Sequence, residues 1–352
     1  MVVNSKETIR IGILLPAYNA EPYIADALQS LLNQTYPHFD IWVFNDGSTD
    51  GTEAIIQTFT DSRVKLINNP KNLGLVATLN RGLDMICAYG GYTYIARMDA
   101  DDTAQPERIA KQVSYMESNP NIVLSGTGMY ACGNLRGYCV YPKSSLALRY
   151  AFIARASRFS HPTIIARISL FNDGSFRYNP NYPYAEDAKL WADIVPHYST
   201  GNISDKLLNY NFNANNTSTL HAVRQKAIAD KVFEEEFENI LGRTLKQSEK
   251  SFVGQTFKKG QIEEYLDIYT SIITRIIHQD PSFTTNKECR QLVARLVART
   301  LYVNRKHLSF KQAIRLIRTL LVKPMGISYA NGLMRISKSA LFIKALKYNN
   351  DL

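Results

Sequence analysis

Asp99-Ala100-Asp101-Asp102 places three carboxylates within four residues. They follow an aromatic and β-branched run, Tyr92-Thr93-Tyr94-Ile95, that reads as a buried strand. They precede Pro106-Glu107-Arg108, which reads as a helix start with Pro at its first position and an acid in its first turn. In an open α/β sheet, the C-terminal ends of strands are where ligands bind. A strand-like backbone through this stretch points Asp99 and Asp101 the same way, because side chains alternate with period two. Two carboxylates side by side repel unless a cation lies between them. A hard divalent ion with oxygen ligands, Mg²⁺ or Mn²⁺, meets that need, and such ions usually bind substrate phosphates as well. A lone D-x-D also reads as a solvated acidic turn, so the rest of the chain decides. Arg97 is placed to pair with a diphosphate or with one of the acids.

The elements that must position these acids alternate in type. Ile9 to Leu15 reads as a first strand ending at Pro16-Ala17-Tyr18-Asn19. In the next segment Ile24, Ala27, Leu28, Leu31 and Leu32 recur at the spacing of one helix face. Asp40 to Phe44 is a second strand, ending in the turn-rich Asn45-Asp46-Gly47-Ser48-Thr49-Asp50-Gly51, where Asp50 reads as a helix cap. Val64 to Ile67 is a third, ending at Asn68-Asn69-Pro70-Lys71-Asn72-Leu73-Gly74, and a helix through Asn80 and Leu83 follows. This β-α alternation implies an α/β fold, a mostly parallel sheet flanked by helices whose strand ends line one crevice. No G-x-G-x-x-G follows the first strand and no G-x-x-x-x-G-K-[ST] occurs, so a nucleotide must be held by other means.

At 352 residues, 45% hydrophobic and 20% charged, the chain is long enough for two domains. We expect one over residues 1–221 and a helical, basic region over 222–352. Residues 301–352 hold ten Lys and Arg against one acid, Asp351, a balance of +9, whereas the first 300 hold 31 bases and 30 acids. The positive charge therefore belongs to the C-terminal region, which argues against nucleic acid as a partner and for an anionic surface met by the tail. Phe310, Ala313, Ile314, Ile317, Leu320 and Leu321 form an apolar stripe with Lys311, Arg315 and Arg318 opposite, the pattern of a membrane-surface helix or of a core helix with a solvated basic face. No apolar run approaches the ~18 residues of a membrane span, and Met1 to Arg10 is polar. With four scattered cysteines read as free thiols, this predicts a cytoplasmic protein, peripheral on the inner face of the plasma membrane.

Taken together, Pro16-Ala17-Tyr18-Asn19, Asn45 to Gly51, Asn72-Leu73-Gly74 with Asn80, Asp99-Ala100-Asp101-Asp102 with Pro106-Glu107-Arg108, and Tyr184-Ala185-Glu186-Asp187-Ala188-Lys189-Leu190-Trp191 resemble, in order and spacing, family 2 glycosyltransferases of the GT-A fold. The resemblance covers roughly residues 9–215 and leaves the C-terminal third untouched.

The resemblance implies a nucleotide-sugar donor, most often UDP-linked, and inversion at the anomeric carbon. Tyr18 then offers a face for the base and Asp46 an acceptor for base or ribose. Pro16, Ala17, Asn19, Asn72 with Lys71, Asn80, Arg97 and Ala100 fall where the family meets the nucleotide. Asp101 is expected to hold the ion, with Asp99 on the ribose or on the ion through water, and Asp102 to orient the donor sugar. The ion acts as a Lewis acid on the departing diphosphate. Inversion needs a base opposite the diphosphate. Asp187 is the first choice, then Glu186, with His161 of Arg158-Phe159-Ser160-His161-Pro162 near the acceptor; a pair of acids opening a helix also reads as a cap. His221 is expected near a segment that closes over the diphosphate, and Trp191 in the core. The acceptor expected is an oligosaccharide or lipid-linked glycan. Rival readings are a nucleotidyltransferase, whose Gly-rich, Arg-containing loop is missing after the first strand, and a non-catalytic nucleotide-sugar-binding subunit.

Overall fold

The computed structural model describes residues 8–134, 136–212 and 220–326. The chain divides into two compact units, Met1–Tyr141 with Phe159–Asn216, and Pro142–Arg158 with Thr217–Leu352. Residues 142–158 thus leave the first unit and return to it at Phe159.

The first unit is a mixed α/β sheet with flanking helices. Its strands are β1 (Ile11–Ala17), β2 (Phe39–Asn45), β3 (Val64–Asn68), β4 (Tyr94–Arg97), β5 (Thr103–Ala104), β6 (Ile122–Gly133), β7 (Gly137–Cys139), β8 (Ile165–Arg167) and β9 (Ser199–Phe212). They run in the order β3-β2-β1-β4-β8-β6-β9-β5, with β7 on β6. The first four are parallel, as the alternation predicts. Beyond β4 the sheet turns mixed: β8 pairs antiparallel with β4 and β6, while β6 and β9 run parallel.

Helices α1 (Ile24–Leu32), α2 (Thr52–Gln57), α3 (Leu75–Tyr89), α4 (Arg108–Ser118) and α6 (Glu186–Ile194) cover the sheet, and a short α5 (Ser145–Arg149) belongs to the second unit. Ile11, Ile13 and Leu15 join a core with Ile24, Ala27, Leu28 and Leu31 of α1 and Ile109, Val113 and Met116 of α4. The alternate residues face α3: a Cβ on Gly82 would lie 2.3 Å from the Leu14 side chain, so the glycine is what lets α3 approach β1. Helix α4 starts at Arg108, two residues after Pro106, and has no acid in its first turn.

The second unit is helical: α7 (Ala222–Leu241), α8 (Gln247–Val253), α9 (Ile262–Gln279), α10 (Lys287–Val303) and α11 (Phe310–Ile317). Gly242, at φ 65°, ends α7 in the left-handed conformation that closes many helices. The apolar stripe meets a different fate from a membrane face. Ile317, Leu320 and Leu321, joined by Leu316 and Met325, lie in this unit's own core, whereas Phe310 does not. Among the described residues no helix is long and apolar enough to cross a membrane. The tail from residue 327 and the segment 216–219 before His221 lie outside the described residues; His221 itself is exposed and caps α7.

Candidate active site

Parallel pairing brings the ends of β1, β2 and β3 level, with Ala17 opposite Asn45 and Asn45 opposite Asn68. The loops leaving them are stitched together by side chains. The Asn19 amide oxygen accepts from the Thr49 backbone N–H at 2.9 Å, and Asn19 N–H donates to Ser48 Oγ at 3.0 Å. Asp50 Oδ1 accepts from Thr52 N–H at 3.1 Å while its Oδ2 accepts from Glu21 N–H at 3.1 Å. Asp50 is not the helix cap expected: Gly51 holds the N-cap position of α2, and Asp50, one residue earlier, is a strut between the loops. Pro16 and Ala17 are buried in β1, and Tyr18 stands 49% exposed at its end, open to a ring stacked on it.

Asp46 differs from the expectation. It is buried, and its carboxylate accepts from Asn69 Nδ2 at 2.6 Å, Leu73 N–H at 2.9 Å and Gly74 N–H at 3.0 Å. Three protein donors occupy the group assigned to base or ribose, so Asp46 shapes the 69–74 loop. A Cβ on Gly47 would fall 2.5 Å from the Lys71 carbonyl carbon, so the two loops meet backbone to backbone. Asn72 and Lys71 are exposed, with Asn72 Oδ1 accepting from Gly74 N–H at 2.8 Å.

The acidic stretch is not a strand. Strand β4 ends at Arg97, and Asp102 N–H donates to the Asp99 carbonyl at 3.4 Å to close a turn. Turning, rather than alternation, gathers the acids, and it brings in Asp102. One oxygen from each of Asp99, Asp101 and Asp102 lies within 4.8 Å of the others, with Ala100 buried between them. Asp102 is 1% exposed. Its Oδ1 accepts from Asn211 N–H at 2.9 Å, and its Oδ2 is buried without a hydrogen-bond partner. Burial, with Asp99 and Asp101 alongside, raises this carboxyl well above the usual range.

Two buried arginines underlie the turn. Arg97 binds Asp99 with both terminal nitrogens, Nη1 to Oδ2 at 2.7 Å and Nη2 to Oδ1. Of the two expectations for Arg97, pairing with an acid is the one realised. Arg108 is fully buried and donates through Nη2 to the Arg97 carbonyl at 2.6 Å. Burial pushes its guanidinium down to about 9, still cationic at neutral pH.

Glu186 and Asp187 occupy the first turn of α6. Two residues earlier Tyr184 takes φ 68°, a left-handed conformation that costs a bulky residue ~1–3 kcal/mol and sharply redirects the chain. Glu186 is buried, and burial with the neighbouring Asp187 charge pushes it up to about 7. Asp187 is half-buried, accepts from Ala188 N–H at 2.7 Å, and is likewise raised by burial. Both acids feel the Arg97 cation and the Asp99 charge, which ties the helix start to the acidic turn.

His161 completes this side. Its Nε2 shares a 2.8 Å hydrogen bond with the Tyr178 hydroxyl, and its ring packs edge-on to buried Trp191 at 5.9 Å. Burial and the Arg97 charge hold the imidazole well below its usual range, so it is neutral at pH 7. Asn80 acts from α3: Nδ2 donates to the Tyr178 carbonyl at 2.8 Å and Oδ1 accepts from Tyr178 N–H at 2.9 Å. Both ends of the amide placed on the nucleotide instead hold Tyr178. Neighbouring Arg158 belongs to the second unit, where it pairs with Glu236. Tyr178 and Arg108 were missed as site residues. The crowding of Tyr178, Tyr182 and Tyr184 just before Glu186 was the available signal for the first; Arg108 reads as an ordinary helix residue.

Comparison with known proteins bears on the family and the fold. The model of the family "Glycosyl transferase family 2" matches residues 12–198. An uncharacterized glycosyltransferase of Haemophilus influenzae is 34% identical over 247 residues, 66% of this chain and 75% of the relative. The Escherichia coli protein WfgD, a UDP-Glc:alpha-D-GlcNAc-diphosphoundecaprenol beta-1,3-glucosyltransferase, is 27% identical over 186 residues, 53% of this chain and 69% of that one. Among solved structures, S. aureus TarS 1–349 is similar with a TM-score of 0.53 at 17% identity, covering 97% of this chain and 92% of that one, which speaks to the GT-A-like fold; TarS 1–349 is also solved with UDP-GlcNAc. With more than half its length matched by the family model and the Haemophilus relative alongside, this chain belongs to glycosyl transferase family 2.

Proposed function

We propose that this glycosyltransferase moves a hexose or N-acetylhexosamine from a UDP-linked donor, with inversion, to a glycan or lipid-linked acceptor in surface polysaccharide synthesis. The observation that carries the reading is the shared Arg97: it grips Asp99 of the acidic turn and lies in electrostatic reach of Glu186, Asp187 and His161. A donor-holding side and a proton-accepting side thus face one buried cation. The UDP-sugar preference draws on the relative WfgD, named for a UDP-Glc donor and an undecaprenol-linked acceptor, and on UDP-GlcNAc in TarS.

The acidic turn fits a divalent ion. Three carboxylate oxygens converge, and the partnerless buried Oδ2 of Asp102 is an atom a cation would satisfy. Asp101, with Asp99 and Asp102, would hold Mn²⁺ or Mg²⁺, which when bound offsets charge growing on the leaving diphosphate. Arg97 and Arg108 offset part of the triad's charge in the ion's absence.

On the other side Asp187 is the base. It is half-open whereas Glu186 is buried, so it is the acid an acceptor hydroxyl can reach. Burial, more than any neighbouring charge, keeps Asp187 basic, and the Asp187 charge in turn helps to raise Glu186. His161 and Tyr178 form a neutral hydrogen-bonding wall for the acceptor, and Tyr18 and Asn72 border the nucleotide.

Transfer assays with UDP-glucose, UDP-GlcNAc and GDP-mannose, with and without Mn²⁺, test the reading. Metal-stimulated release of UDP from one UDP-sugar, dependent on added acceptor, is expected. Turnover with GDP-mannose alone overturns the donor class; donor binding with no turnover on any acceptor supports the binding-subunit rival.

A further inference from the structure

We infer that the turn between α10 and α11, with Phe310 at its apex, is a foot that rests on an anionic bilayer surface. Phe310, the first residue of α11, is 82% exposed. Arg305, Lys306 and His307 before it, Lys311 beside it, and Arg315 and Arg318 one and two turns further on are all exposed, and residues 301–326 contain no acid. Arg315 is engaged with Glu263 at 2.6 Å. Arg305 lies over the Tyr302 ring at 4.5 Å and donates to the Tyr302 carbonyl at 2.8 Å. No carboxylate pairs with Lys306, Lys311 or Arg318 among the described residues, so their charge is available to a partner.

Charge complementarity sets the occupant. The first 300 residues are nearly neutral, so this surface stands out from the rest of the chain. An exposed large ring with long cationic side chains close in sequence is the composition of an interfacial anchor: the ring enters the headgroup layer while Lys and Arg charges meet lipid phosphates. A nucleic-acid groove would call for cations along a strip with stacking rings between them, and here one ring projects. Because Leu316, Ile317, Leu320 and Leu321 are spent in the unit's own core, α11 does not lie on the bilayer by its apolar face. The contact is a shallow one, reversible and sensitive to salt.

That distinction selects the experiment. Deleting the segment would remove core residues and unfold the unit, so point variants are needed. Full-length protein is sedimented with phosphatidylcholine vesicles, with and without phosphatidylglycerol. Binding is expected only with phosphatidylglycerol and fades as salt rises. Phe310→Ala lowers partitioning by roughly tenfold. Lys306→Glu with Lys311→Glu lowers it by about fivefold or more per site. Thermal unfolding stays at the parent's midpoint, since all three side chains are exposed. Unchanged partitioning of Phe310→Ala, equal binding to neutral vesicles, or displacement from vesicles by short duplex DNA at lower concentration overturns the proposal. Transfer to a soluble acceptor is a separate readout, so loss of the foot and loss of the transferase reading are told apart.

Discussion

Asn80 holds Tyr178 by both of its backbone polar groups, 98 residues along the chain, and Tyr178 in turn meets His161. A side chain on the helix after β3 therefore sets the wall beside Asp187. Asn80→Ala leaves a Tyr178 N–H and carbonyl without these partners and frees the segment to shift. The expected result is a rise in the KM for acceptor with UDP affinity within about twofold of the parent, since the lost contact is on the acceptor side. A matching loss in UDP affinity, measured by calorimetry, would place Asn80 on the nucleotide after all.

Asp46 offers a stability prediction. Asp46→Ala strands the buried Asn69 amide and releases the Leu73 and Gly74 N–H groups, a loss of about 1–3 kcal/mol and a drop of a few degrees in Tm. Asp46→Asn keeps the shape but presents an amide where three donors converge, and it destabilises too. A variant that melts with the parent while losing only UDP binding would return Asp46 to the nucleotide.

Much of this layout was legible in the chain. Short apolar runs bounded by turn residues place β1, β2 and β4, which are buried on both faces, and the helix period places α1, which is buried on one. What escaped was decided by tertiary hydrogen bonds. Nothing in Asp99 to Asp102 announces that a turn, closed by a single backbone bond, gathers the acids. Asp46 looks the same in sequence whether its oxygens face a nucleotide or the 69–74 loop. The stripe on α11 is equally suited to a bilayer or to a core, and only the packing of Ile317, Leu320 and Leu321 separates the two.

The Glu186–Asp187 pair predicts a pH profile. Both carboxyls are raised, Glu186 to about 7, so the pair gains a proton as pH falls through neutrality. A base must be ionised, and burial holds Asp187 above the usual carboxylate range, hence kcat/KM for transfer should decline on the acid side at a higher pH than a free aspartate would give. The same shift gives the sign for stability. A carboxyl raised on folding stabilises fully below its unfolded value, and that contribution is lost as pH rises through the raised one. An acid limb at the ordinary pH of a free aspartate would exclude Asp187 as the titrating base.

Asp101 and Asp187 separate binding from catalysis. As the proposed base, Asp187 would act only on the acceptor proton, which is transferred in the transition state and not in the donor complex. Asp187→Asn keeps the shape and cannot take the proton, so transfer should fall by roughly 10²-fold or more while UDP affinity stays close to the parent's. Asp101→Asn weakens the oxygen cluster that would hold the ion. Since an ion on the diphosphate is felt in the ground state as well as the transition state, this variant should lose both Mn²⁺-dependent UDP affinity and transfer. Calorimetry of UDP with and without Mn²⁺, beside a transfer assay on both variants, makes the comparison. If Asp101→Asn binds UDP with Mn²⁺ as the parent does, the ion is held elsewhere. If Asp187→Asn turns over near the parent rate, the base is Glu186 or His161. His161 is the weaker of these two, because its imidazole is held far below the usual range and its Nε2 is already committed to Tyr178.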